Sequence, residues 1–395
     1  MADTVHNPDQ YMYDFKQIVG QGRKKIGLLV GAGAPVGINV SEGEGYSPLI
    51  PDVAGLTGIV RGKLSPVHGR CFDQIVGGAG RLNIENVLSR IRSFVEVLGN
   101  NEVYGLDSEA YRGFEEEVCE KIKEVVSVGL PENDTAYSDL VSWINGISRD
   151  YAVEVFTTNY DLLVEEALER VKSPYFDGFS GARCPFFDSS AVASNDLPSR
   201  WTRLWKLHGS INWEQNGKGE VIRGAGASKG TMVYPSHLKY DQTQSAPFSS
   251  LFDRLKNFVL EKDSVLIVIG FSFADAHISA KLDECMAGNP SSAVIALQFK
   301  KLEEEKFAVE LGKRRPNMSV YCNDGAVING VQAEWRLGEL PSRGWEVFRD
   351  EYWDNGKFVL GDFVKFSRFL ANTGGGKAVS LKLVEDNDKG DIDEN

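Results

Sequence analysis

The sequence predicts an α/β protein built on a doubly wound parallel sheet, and three observations predict it. Short apolar runs, bounded by glycine or polar residues, recur at 25–30, 152–157, 203–207, 264–269, 293–299 and 318–322. Runs of that length are what strands buried on both faces look like. Amphipathic helical stripes separate them. Polar residues and glycines gather immediately after the runs, as in Gly31-Ala32-Gly33, Thr158-Asn159, His208-Gly209-Ser210 and Gly270-Phe271-Ser272. Strands alternating with helices, with chemistry at the strand ends, imply a parallel sheet whose carboxyl edge carries the site.

In chain order, residues 1–24 are polar, and Tyr11, Phe15 and Ile18 at helical spacing predict one short docking helix. The run Lys-Ile-Gly-Leu-Leu-Val then predicts a buried strand feeding a glycine turn. Residues 34–82 are rich in Gly, Pro and Ser and read as loop. Ile84, Leu88, Ile91, Val95 and Leu98 form one stripe, and Phe114, Val118, Ile122 and Val125 a second. A third helix is expected at 135–147, so 84–147 reads as a helical layer inserted between the first two strands. A helix carrying Val164, Leu168 and Val171 follows the second strand, and others are expected near 247–261 and 275–287. Residues 1–335 then form the main domain. Residues 336–373 are an aromatic-rich helical segment, read either as core or as an assembly surface. Residues 374–395 are a tail with six acids between Glu385 and Glu394, a composition that stays solvated.

The chain has 395 residues, 42% hydrophobic and 25% charged, which is ordinary for a soluble globular protein. No apolar run is long enough to cross a bilayer, and the first residues lack a basic start and an apolar stretch, so the cytoplasm is expected. A net charge of −13 argues against direct binding along a nucleic acid. Lys300, Lys301, Lys306 and Lys313-Arg314-Arg315 are interleaved with Glu303–Glu305 and read as a solvated helix. The five cysteines are dispersed and make no CxxC pair, so neither a disulfide framework nor a four-cysteine zinc site is expected. His68 and Cys71 are half a ligand set, and half a set holds no zinc.

Each chemical signal has two readings. Gly31-Ala32-Gly33 lets the backbone turn tightly and approach a phosphate with free amides, or is a turn without ligand; the third glycine, Gly37, stands one place late for the dinucleotide fingerprint. Asn159 caps the following helix, or orients a water or ribose hydroxyl; Asp161 supports it, or caps the helix itself. His208 is structural, or supplies an imidazole, whose titration near neutrality suits proton transfer.

The order of these signals adds to them. GAG after the first strand, T-x-N-x-D after a later one, then HG, then a strand running into G-x-S resembles the sirtuin (SIR2) superfamily over residues 25–330. The phrases TTNYD, KLHGSINW and VIGFSFADAHI are similar to the bacterial SIR2-like branch rather than to the histone deacylases. The resemblance implies a Rossmann-like sheet of the sirtuin type, NAD as substrate without a metal, and NAD cleavage in antiphage defence. It implies that Gly31, Ala32 and Gly33 line the pyrophosphate, that Asn159 and His208 are catalytic, and that Gly270 and Ser272 contact a ribose. Thr158, Asp161 and Phe271 are further nucleotide-binding candidates. Chain length and the C-terminal segment are similar to the SIR2 partner of SIR2–HerA pairs, which implies a homo-oligomer and a HerA-type ATPase partner, with any nucleic acid only indirect.

Two departures shape the expectation. The four-cysteine zinc ribbon of the deacylases cannot be built here, and Gly37-Ile38-Asn39-Val40 stands where they carry G-I-P-D-F-R with its arginine. Both push towards water as the acceptor, hence a NAD hydrolase. The alternatives are a NAD-dependent protein deacylase and a scaffold that binds NAD or ADP-ribose without turnover.

Overall fold

A computed structural model describes residues 4–42, 45–77, 82–224, 246–342 and 344–374. The acidic tail expected from 374 onward therefore lies, apart from Gly374, outside the described residues.

Six parallel strands make the centre of a sheet with ten described strands. In space they run Met318–Tyr321, Ala293–Leu297, Ser264–Ile269, Lys25–Val30, Glu154–Thr157 and Thr202–Lys206. Numbered by sequence, that is 6-5-4-1-2-3, the order of a doubly wound dinucleotide-binding sheet. The order reverses between Lys25–Val30 and Ser264–Ile269. Tyr175–Phe176 extends one side in parallel, and the antiparallel pair Gly325–Ile328 and Val331–Trp335, with Val5–His6, extends the other.

Burial alternates along the strands as a two-faced sheet requires. Leu28, Val30, Val155, Ile267 and Ile269 enter one core, while Leu29, Phe156, Leu266 and Val268 enter the other. The helices Phe248–Leu260, Ala276–Gly288 and Lys306–Arg314 cover the second face. The first face is covered by Pro8–Gly20, by Ile84–Val97, Ser108–Val126 and Ala136–Gly146, and by Leu163–Arg170 and Phe363–Thr373. The N-terminal helix is started by Asn7, whose side chain accepts from the Asp9 amide, with Pro8 at its first position. Its buried stripe is Met12, Phe15 and Val19, rotated from the expected Tyr11, Phe15 and Ile18.

Three expectations fail. Residues 34–82 are not mainly loop: they hold a hairpin (Asn39–Glu42 with Gly45–Pro48) and the helices Val53–Lys63 and Pro66–Gly77. Composition misleads there because tertiary burial of Leu56, Val60, Phe72 and Ile75 overrides the low helix propensity of glycine. A small antiparallel sheet of Phe179–Ser180, Phe186–Phe187, Val221–Arg223 and Trp213–Gln215 also goes unpredicted, since its strands are only two or three residues long. The segment 336–373 is only partly helical, with Trp345–Arg349, a hairpin of Trp353–Asp354 with Lys357–Phe358, and Phe363–Thr373.

Much of that C-terminal segment is core. Tyr352, Phe358, Phe363, Phe366 and Phe369 are buried within the chain. Phe369 stacks on Phe15, and Phe363 meets Tyr137 at 5.0 Å between ring centroids. Asp9, itself buried, accepts from Arg349 (2.5 Å) and from the Tyr352 hydroxyl (2.7 Å), tying the two ends of the fold together. These five aromatic side chains are thus occupied inside the protein, while Trp345, Phe348 and Trp353 are half-buried.

Candidate functional site

The site begins where the strand order reverses. Two turns leave adjacent strands there and pack on each other. The Gly31 amide donates to the Ile269 carbonyl (3.0 Å) and the Gly33 amide to the Gly270 carbonyl (2.9 Å). A Cβ on Gly31 would lie 2.4 Å from the Gly270 oxygen, and one on Gly33 would lie 2.9 Å from the Gly270 Cα. Gly270 itself has φ +67°, and its Cβ would meet the Ala34 nitrogen at 2.7 Å. These glycines are therefore required by turn-on-turn packing alone. The expectation of free amides in this turn needs correction, because those of Gly31, Gly33 and Ala34 are already engaged. Ala32 is half-buried and Gly33 exposed, at the lip of the same turn.

The next strand, Glu154–Thr157, delivers Asn159. The Thr157 hydroxyl donates to the Val30 carbonyl (2.9 Å) and accepts from the Asn159 amide (3.0 Å). The half-buried Thr158 donates its amide to the same Val30 carbonyl. Asn159 is buried and its Nδ2 donates to the Gly31 carbonyl at 3.2 Å. It is stitched to the glycine turn rather than capping the helix. Its Oδ1 accepts no hydrogen bond among the described residues, and is the atom left to hold a hydroxyl or a water.

Asp161 does the capping. Its Oδ1 accepts from the Leu163 amide (3.1 Å), at the start of Leu163–Arg170. Buried Lys206 donates to the Asp161 carbonyl and to Glu165 (2.9 Å). Burial pushes the carboxyls of Asp161 and Glu165 up, and the Lys206 charge pulls both down. This cluster positions the 158–162 turn, and Asp161 serves it as a structural cap.

His208 follows the strand Thr202–Lys206. The chain turns sharply at Gly209 (φ +87°), and the Ile211 amide and Ser210 hydroxyl donate back to the Tyr160 carbonyl. The His208 side chain is buried, and its Nε2 lies 3.0 Å from the Oδ2 of Asp275. Asp275 caps the helix Ala276–Gly288, its Oδ1 accepting from the amides of His277 (2.8 Å) and Ile278 (3.1 Å). Burial pushes that carboxyl up, but the His208 bond and charge and the two amides outweigh it and hold Asp275 at about 2. A fixed carboxylate on Nε2 sets the imidazole tautomer and leaves Nδ1 to take a proton.

Asp275 is the residue that the sequence reading missed. The signal lay in the ADAH of the phrase VIGFSFADAHI, but an aspartate before a helix reads as a cap, which it also is. Tyr160 was missed as well. Its ring lies 6.4 Å from that of His208. Burial pushes its hydroxyl far up; Glu85 and Asp275 add to this and Arg92 opposes it. Glu85 and Arg92 belong to the helix Ile84–Val97, so the inserted helical layer faces this site.

Of the remaining candidates, Phe271 is buried, packs edge-on against Phe273, and accepts from the buried Gln298 (3.2 Å) through its carbonyl. Ser272 is exposed, and its hydroxyl oxygen is 3.4 Å from the Ala274 amide. His68 and Cys71 have separate partners, Glu117 and the Tyr111 hydroxyl (3.3 Å) respectively. Among the described residues no three His, Cys, Asp or Glu side chains are grouped to hold a metal ion. No described helix is long and apolar enough to cross a membrane. The structure thus brings Gly31–Gly33, Asn159, His208 and Gly270 to one sheet edge, and places the Asp161 carboxylate in a helix cap.

Comparison with known proteins places part of this edge. Residues 153–314 match the family model of the SIR2-like domain. That span includes Asn159, His208, Gly270 and Asp275, but not the turn at Gly31–Gly33. It covers less than half of the chain and supports the SIR2-like superfamily, with its NAD-related chemistry, for that part. The curated proteins gave no match. A solved structure described as giving the basis for the mechanism and regulation of Sir2 enzymes is 11% identical, covering 75% of this chain and 89% of that chain with a TM-score of 0.33. That likeness is too slight to build on.

Proposed function

We propose, from the SIR2-like segment and the edge it carries, that this chain is a NAD hydrolase. The observation that supports this best is the pair of buried His208 and half-buried Asp275 beside Asn159, at the point where the strand order reverses. Nucleotides bind outside the carboxyl ends of strands at such points.

Cleavage of the nicotinamide–ribose bond passes through an oxocarbenium-like state. The bonding electrons leave with nicotinamide, which departs neutral, so no acid is needed on that side. Water adds to the anomeric carbon and loses one proton, giving ADP-ribose. In this reading the Oδ1 of Asn159 holds that water or a ribose hydroxyl, while the Nδ1 of His208 takes the proton. Asp275 stabilises the resulting imidazolium. The glycine turns keep side chains out of the path to the edge, and the helical layer carrying Glu85 and Arg92 limits bulk water.

The test is to incubate the purified chain with NAD and identify products by mass spectrometry. Nicotinamide and ADP-ribose are expected, with His208→Ala slowing turnover by about 10²–10⁴-fold. Full activity in that variant would sink the assignment. Nicotinamide released only with an acyl-lysine peptide would make the chain a deacylase, and tight NAD binding without release would make it a scaffold. A role in antiphage defence by NAD depletion, assembly with copies of itself and a HerA-type ATPase partner rest on the resemblance of the sequence. Sizing the protein alone and with such an ATPase tests the last two.

A further inference from the structure

Among the described residues, six other than glycine hold a left-handed backbone: Tyr104, Lys172, Asp263, Phe273, Asn329 and Asn355. Five of them stand at exposed turns, and three of those five are Asn or Asp, which tolerate this conformation. Phe273 is the exception. Its φ is +59° and it is 2% exposed. A β-carbon disfavours the left-handed region by roughly five- to thirtyfold, and a bulky side chain there is an outlier. Such outliers persist only where the surroundings enforce them, and they gather where geometry serves function.

The surroundings that enforce it are local. Phe273 lies on the loop between the strand Ser264–Ile269 and the helix Ala276–Gly288, two residues before Asp275. Its ring belongs to the core on the second face of the sheet, with Ile278 and Leu282, and meets Phe271 edge-on at 5.1 Å between ring centroids. Ser272 and Ala274, on either side, are exposed. The Phe273 carbonyl accepts from the Ser279 hydroxyl (2.9 Å), inside the first turns of the helix. The left-handed turn thus leaves the ring inside and brings Asp275 out at the carboxyl edge. There its Oδ1 takes the amides of His277 and Ile278, and its Oδ2 lies 3.0 Å from His208. With the ring held in place, rotating φ out of this region would swing the following residues, Asp275 among them, away from that position.

We propose that Phe273 is a positioning residue: burial of its ring holds the left-handed turn that delivers the Asp275 carboxylate to His208. Its effect on turnover rests on the reading of His208 as the proton acceptor; its effect on the His208 ring does not. Substitution separates this role from plain core filling. For a residue that only fills volume, Gly serves no better than Ala. For a residue that holds a left-handed turn, Gly serves better, since it adopts this backbone freely. Ala keeps the β-carbon and loses the ring that offset it. Leu still fills the core and keeps the turn.

Nitrogen NMR of the full-length chain with isotope-labelled histidine, in mildly alkaline buffer and without NAD, reports which His208 nitrogen carries the proton. His208→Ala assigns the signal. The wild type and Phe273→Leu are expected in the Nε2–H form alone. Phe273→Ala should lower occupancy of the turn about tenfold and mix the two tautomers, with Phe273→Gly less affected. With NAD, kcat should fall about tenfold in Phe273→Ala while KM stays within about twofold. Ser279→Ala removes one hydroxyl, should mix the tautomers and lower kcat about threefold, and carries the test should Phe273→Ala not fold. A mixed wild type, a single Nε2–H form in every one of the Ala variants at 273 and 279 that folds, or Phe273→Gly as impaired as Phe273→Ala overturns the proposal. Tautomers that shift as expected in a chain that never releases nicotinamide would refute the NAD hydrolase reading and leave the positioning role standing.

Discussion

The strands Glu154–Thr157 and Thr202–Lys206 carry opposite solutions at their two ends. At the amino end, Glu154 is surrounded: one oxygen takes Arg203 (3.2 Å) and Arg254 (2.5 Å), the other Trp205 (2.7 Å) and Arg254 (2.8 Å). Asn195 accepts from both arginines. All four of Glu154, Arg203, Trp205 and Arg254 are buried. At the carboxyl end, Asn159 and His208 are just as buried, yet among the described residues each side chain has one partner, the Gly31 carbonyl and the Asp275 carboxylate, and one polar atom to spare. The full set of bonds on Glu154 fixes strands and helix Phe248–Leu260 together at one end, although the Thr202 hydroxyl and the Arg203 Nε there have no partner among the described residues. Incomplete satisfaction at the other, on a frame that rigid, is what a site needs.

The comparison breaks most visibly at Glu154. Glu154→Ala leaves Arg203 and Arg254 buried without their anion, and should lower folding stability by about 3–5 kcal/mol. Burial already disfavours the charge on Arg203, and Arg254 beside it adds to this, so removing Glu154 leaves only the smaller pull of Glu261 to oppose them. Urea denaturation measures it. His208→Ala should change stability far less while abolishing most turnover; comparable losses of stability at the two ends would erase the distinction.

Gly270→Ala sharpens the comparison from the middle of the sheet. A left-handed backbone and a Cβ 2.7 Å from the Ala34 nitrogen leave no room for the methyl group without moving the Gly31 turn. A loss on the order of 2 kcal/mol is expected, with weakened NAD binding, because the two turns move together. Retained stability with unchanged NAD binding would show the turns to be independent.

Much of this was legible in the chain, for a physical reason. Strands buried on both faces need continuous apolar residues, so KIGLLV and SVLIVI announce themselves. Glycines that must pack backbone on backbone cannot be replaced by other residues, so Gly31 and Gly270 stand out at the strand ends. Pairing across the sequence was not legible. Nothing local says that Ser264–Ile269 lies beside Lys25–Val30, or that the second oxygen of Asp275 reaches His208. The helix Val53–Lys63 was lost for the converse reason, since its glycines speak locally while Leu56 and Val60 speak only through the core. The C-terminal aromatics announced burial but not its partner, which is the N-terminal helix at Phe15 and Asp9.

The smallest effect is the most specific. Asp275→Asn preserves a helix cap, because asparagine caps as well as aspartate, but removes the charge that fixes His208. Turnover should fall by about 10–100-fold, a loss of up to about 3 kcal/mol of barrier lowering, with the fold intact. The carboxyl is held at about 2 in the folded chain, below its ordinary 3.8. A depressed carboxylate stabilises the fold above its unfolded pKa and loses that contribution as the pH falls through its folded value. The stability gap between wild type and Asp275→Asn should therefore be about 2 kcal/mol at neutral pH and close as the pH drops from 4 towards 2. Urea midpoints across the acid range in which both chains stay folded measure it. A gap that stays constant with pH would mean that Asp275 acts through its shape and not its charge. The incomplete end of the sheet would then be a matter of packing, and His208 would need another explanation for its tautomer.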